Sequence, residues 1–137
     1  MATRFTPAPE VQEIAERYIE TYHGHLIQNA VKMVYLFRDD VPVRMGKNVM
    51  GEAKKVTGLS AFLAACPSVI DYEADPQTME EDEPFFAIII SQPIWDRLTL
   101  PQREALIDHE LSHCYAEEND EGEVMLRMLA HDLGEFN

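Results

Sequence analysis

An α+β fold is what this chain of 137 residues predicts, on three observations: an apolar run at 85–91, helical spacing over 9–23, and a capped helix starting at Thr99. In the run, Phe85 and Phe86 precede Ile88, Ile89 and Ile90; aromatic and β-branched side chains in so short a stretch favour an extended chain. Val11, Ile14, Ala15, Tyr18, Ile19 and Tyr22 recur every three or four residues, so they share one face of a helix over 9–23. Pro9 suits the first turn of that helix and Gly24 its end. Residues 31–37 are again β-branched and aromatic, and Arg38-Asp39-Asp40 closes them as a strand. After a loop punctuated by Pro42 and Gly46, residues 48–57 predict a weaker strand, because Gly51 and the pair Lys54-Lys55 dilute its β character. A short helical turn is expected at 59–65, ended by Pro67. An exposed loop is expected at 71–83, where seven carboxylates crowd beside Pro76 and Pro84 without the glycine and spacing of a calcium loop. Thr99-Leu100-Pro101-Gln102 is a capping box, and a helix runs from it through His113. A last helix is expected over 122–136, where Met125, Leu129, Leu133 and Phe136 fall on one stripe.

The length fits one compact domain over 1–137, and apolar residues, 46% of the chain, are enough to build one core. No secretory signal and no apolar run of membrane-spanning length occurs, so a cytoplasmic protein is expected, in the host cytoplasm if phage-encoded, with no membrane partner. Cys66 and Cys114 are too few for a disulfide scaffold and lack metal-knuckle spacing. The net charge of −14 lies in the second half: residues 61–137 hold 3 Lys+Arg against 18 Asp+Glu, and residues 1–60 hold 8 against 7. Such a surface repels nucleic acid and favours basic partners. An acidic protein of this size can also imitate DNA, which keeps one alternative open: a non-enzymatic inhibitor whose metal serves only the fold.

His109-Glu110-Leu111-Ser112-His113 matches H-E-x-x-H. Four residues advance a helix slightly more than one turn, so both imidazoles project from one face and can present two nitrogens to a tetrahedral Zn2+. Glu110 between them can take a proton from a zinc-activated water and pass it to a leaving amine. Leu106, His109 and His113 share one helix face; Ile107, Leu111 and Cys114 share another. The helix therefore has a site side and a core side. A catalytic zinc needs a third protein ligand. Downstream candidates are Glu123, His131, Asp132 and Glu135. His131 is preferred, with Glu135 as alternative ligand or, like Asp132, as the carboxylate orienting a ligating histidine. His23 and His25, beside Gly24, read as surface histidines at a helix end, Cys114 as a packed thiol, and Lys54-Lys55 as a solvated strand face.

The block 106–114, the short acidic turn after it, and His131-Asp132-Leu133-Gly134-Glu135-Phe136 together resemble the phage metallopeptidase family, which is zincin-like and distantly akin to SprT-type proteases. His25-Leu26 and Met50-Gly51-Glu52-Ala53-Lys54-Lys55 resemble it more loosely, so the resemblance covers residues 25–137. It implies His109, His113 and His131 as zinc ligands and Glu110 as the catalytic base. It further implies a small zincin: a short, mostly antiparallel sheet beside the motif helix, and a closing helix that supplies the last ligand. The resulting expectation is zinc-dependent hydrolysis of a peptide bond, with basic peptides as candidate substrates. A zinc hydrolase acting on another electrophile is the further alternative.

Overall fold

A computed structural model describes residues 3–57 and 84–129. Over these the chain is α+β. Strand β1 (Phe5–Pro7) leads into helix α1 (Pro9–Tyr22) and short helix α2 (Gly24–Gln28), followed by β2 (Met33–Arg38). A small hairpin, β3 (Val43–Arg44) and β4 (Lys47–Asn48), precedes β5 (Gly51–Thr57). After β6 (Pro84–Ser91) come the turn-like α3 (Gln92–Trp95), the long α4 (Leu100–Ser112), and the hairpin β7 (Cys114–Glu118) and β8 (Val124–Met128).

The main sheet has the order β1-β2-β6-β5. It is mixed: β1–β2 and β5–β6 pair antiparallel, but the central β2–β6 pair is parallel, with Tyr35 opposite Ile88. Both central strands are buried on both faces, which is why they read as unbroken apolar runs. Tyr35, Phe37, Phe86, Ile88 and Ile90 face the helices, where Val11, Ile14, Ile107 and Leu111 complete the larger core. Val34, Leu36, Phe85, Ala87 and Ile89 pack on the opposite face. Trp95 joins the first core against Phe37, with ring centroids 5.7 Å apart, and its Nε1–H donates to Glu10 Oε2 at 3.2 Å.

Three expectations change. Gly24 starts α2 instead of ending α1; the break falls at His23, whose backbone leaves helical geometry at φ −128° and ψ 43°. The helix expected over 122–136 is replaced over 124–128 by strand β8, paired with β7 so that Leu126 faces Ala116. Of β8 only Leu126 is buried, while Met125 and Leu129, half of the expected stripe, are exposed. The rest of that segment, like the turn expected at 59–65 and the loop at 71–83, lies outside the described residues. Third, the sheet is antiparallel in two of its three ladders, as expected, but has a parallel pair at its centre. Among the described residues no helix is long and apolar enough to cross a membrane.

The β3–β4 turn contains Met45 and Gly46, both with positive φ (53° and 76°). A two-residue hairpin turn of this kind suits Asn-Gly, because its twist matches the strands and asparagine tolerates the left-handed region. Met45 occupies that position with a wholly exposed side chain. Met45→Asn is therefore expected to stabilise the fold by about 0.5–1 kcal/mol, read as a raised urea midpoint at constant m-value.

Candidate metal centre and cleft

The site is built on α4. Thr99 Oγ1 accepts from the N–H of Gln102, while Thr99 N–H donates to Gln102 Oε1 at 2.8 Å, so the capping box forms and Pro101 lies in the first turn. Ile107, Leu111 and Cys114 point into the core and are essentially inaccessible, which fixes the rotation of the helix. That rotation turns His109, Glu110 and His113 toward β5 and β8, where the helix meets the main sheet and the final hairpin.

The two imidazoles meet nearly edge to face, with Nε2 of His109 3.2 Å from Nε2 of His113. Nδ1 of His113 lies 2.7 Å from the carbonyl of Leu129. A carbonyl can only accept, so Nδ1 carries the proton and donates it, and Nε2 of a neutral His113 presents a lone pair toward His109. The Leu129 N–H donates in turn to the His113 carbonyl at 2.8 Å. Leu129 therefore grips His113 by side chain and backbone together.

Glu110 is 4% exposed, and its Oε1 lies 4.0 Å from His109 Nε2. Burial first, and the negative charge of Glu52 second, push its carboxyl up to about 7. One donor atom from each of His109, Glu110 and His113 lies within 4.8 Å of the others, close enough to hold a single metal ion. His131, Asp132 and Glu135, the expected third ligand and its alternatives, lie outside the described residues. Glu123 is exposed in the β7–β8 loop, where its backbone pairs with Asn119.

Two features of β5 were not anticipated as parts of the site. Gly51 lets the strand pass close to α4: a Cβ there would sit 3.7 Å from Glu110 Cγ and only 2.7 Å from the Cδ1 of buried Ile90. An isolated glycine inside a strand pattern is the signal for such close approach. Glu52, next in sequence, starts on the other face of the strand, yet it lines a cavity together with Glu110 and His113. Arg44 Nη2 donates to its Oε2 at 2.9 Å, and its other oxygen is buried without a hydrogen bond, with Lys54 Nζ at 3.3 Å. No local pattern marks that residue.

His23 and His25 are not plain surface histidines. The His23 ring, with 12% of its side chain exposed, is 2.9 Å from Asp108 Oδ1 and braces α4 from behind. His25 Nδ1 accepts the Ala116 N–H at 3.3 Å, and burial together with the neighbouring His23 lowers its pKa. Neither belongs to the donor cluster. Cys114 is packed as expected, its thiol pushed up to about 12 by burial and by Glu110. Lys54 and Lys55 are exposed.

Comparison with curated proteins gives no match, and comparison with solved structures gives none either. A family profile described as "Putative phage metallopeptidase" matches residues 3–137, nearly the whole chain. A metal ion is what such a family requires, and the His109, Glu110 and His113 cluster offers a place for one. The chain belongs to the putative phage metallopeptidase family.

Proposed function

We propose that the protein is a zinc-dependent peptidase of the H-E-x-x-H type, with a zincin-like arrangement of sheet and motif helix. The observation that carries the reading is the convergence of two imidazole nitrogens beside a buried carboxylate, at the place where α4 meets strand β5. The donor set fits zinc. Two nitrogens bound tetrahedrally to zinc stand about 3.3 Å apart, close to the observed 3.2 Å, and the Leu129 carbonyl favours the His113 tautomer whose lone pair is on Nε2.

His109 and His113 would hold the ion with His131 as third ligand; Glu135 is the alternative, and Asp132 or Glu135 could orient a ligating ring. Bound there, zinc would supply Lewis acidity that polarises a scissile carbonyl and acidifies a water. Glu110 takes the proton from the attacking water as the C–O bond forms, and delivers it to the leaving nitrogen as the C–N bond breaks. Burial keeps the Glu110 carboxyl out of bulk water, so the proton it carries is exchanged within the site. Strand β5 ends the sheet among the described residues, so its outer backbone groups can pair with an extended peptide laid along it. The acidic second half of the chain favours the approach of basic peptides.

Metal analysis of protein purified without added zinc tests this directly, together with cleavage of a mixed peptide pool. Near-unit zinc in the wild type, its loss in His113→Ala and in His131→Ala, and zinc-dependent cleavage are the expected results. Zinc retained in His131→Ala would pass the third position to Glu135. Zinc bound without cleavage of any peptide would instead favour an acidic binding protein with a structural ion.

A further inference from the structure

Bond cleavage needs the carboxylate and the imidazoles, but it does not explain the cavity beside them. This hollow of about 480 Å3 lies between the start of β5 and the outer side of α4. Val49 and Met50 form one wall; Leu98, Ala105 and Leu106 form the other. His109 and Glu110 close one end. A second cavity, about 370 Å3, shares Gly51 and Glu110 with the first but is lined also by Arg44, Glu52 and His113. A peptide bond placed against Glu110 therefore has an apolar hollow to one side and a charged one to the other.

We infer that the apolar cavity is a selectivity pocket for the side chain of a residue flanking the cleaved bond, and that the substrates are peptides with a Leu- to Phe-sized residue there. The inference rests on the peptidase reading above. Apart from His109 and Glu110 at its end, the polar lining residues are the neutral Asn48 and Gln102. A Lys or Asp side chain entering it would lose hydration and meet only the neutral amides of Asn48 and Gln102 before the reacting end, where Glu110 repels Asp and could pair with Lys only by giving up the proton transfer. A Leu or Phe side chain gains by leaving water, and the volume falls within the range of small-ligand sites. Overall charge then governs which polypeptides approach, and this pocket governs where they are cut.

The test uses blocked pentapeptides of alanine with one variable residue, Gly, Leu, Phe, Lys or Asp, in two measurements. In the first, the zinc-loaded protein is assayed for cleavage, with cut sites read by mass spectrometry. Leu and Phe are expected to exceed Gly in kcat/KM by about 30-fold or more at one fixed position beside the cut. Ala105→Phe, an exposed helix position that narrows the cavity, should lower the Leu-to-Gly ratio at least about tenfold. Met50→Glu, on the opposite wall, should move preference toward Lys, which keeps the idea testable should the first variant fold poorly. In the second measurement, the Leu peptide is titrated into metal-free protein and amide shifts are followed; Leu98, Ala105 and Leu106 should respond. Cleavage indifferent to the variable residue would overturn the pocket and leave the peptidase standing. Shifts at those residues with no cleavage of any peptide would overturn the peptidase and keep the pocket's apolar preference. Absence of both would remove both.

Discussion

Glu110→Gln is expected to lower kcat at least about 10³-fold while making the metal-free protein more stable at pH 8. The two effects share a cause, because the carboxylate that suits proton transfer is also one the fold must desolvate. The folded carboxyl stands at about 7 against an ordinary 4.5. Below pH 4.5 the group is protonated in folded and unfolded chains alike and contributes nothing. Between 4.5 and 7 the unfolded chain ionises first, so stability drains as pH rises; above 7 the full penalty, about 3 kcal/mol, is in place. Glutamine carries no charge to desolvate. In chelator, its melting temperature should match the wild type near pH 4 and exceed it by about 10 °C at pH 8. Equal melting temperatures at pH 8 would mean that the carboxylate is solvated, and that its proton affinity needs another explanation. Zinc content measured on the same variant separates lost proton transfer from lost metal.

Gly51→Val should damage both stability and turnover, by separable routes. The new Cβ lands 2.7 Å from Ile90 Cδ1, on a side chain with no accessible surface, so the overpacking costs about 2–3 kcal/mol. The branched methyls would also enter the space that Gly51 leaves open between the two cavities beside Glu110. Adding Ile90→Val removes the clashing methyl and should restore most of the denaturation midpoint without restoring kcat/KM. Recovery of both together would show that Gly51 matters only for packing.

The parts of the molecule legible in sequence are those whose signals are local. The capping box set the start of α4, its apolar positions set its rotation, and the motif's spacing then placed His109 and His113 on one face. Strand β6 was legible because burial on both faces leaves its composition unambiguous. Strand β8 was not: Met125 and Leu129 stand one helical turn apart, yet Val124 to Met128 alternates about a single buried residue, Leu126, too short a pattern to outweigh the stripe. The reversal before it depends on Gly122 at φ 80° and on Asn119 Oδ1, which accepts two backbone N–H groups. The parallel β2–β6 pairing and the arrival of Gly51 and Glu52 beside Glu110 join residues dozens of positions apart. Nothing within a local window encodes them.

The double grip of Leu129 on His113 has a mechanical consequence. The ring cannot swivel away from its neighbour without surrendering the Leu129 carbonyl, and Leu129 cannot lift from the end of α4 without releasing the ring. Whatever displaces Leu129 thus also disturbs the aim of a nitrogen in the donor cluster. A shift of that one residue would register first as a change in how firmly the cluster keeps its ion.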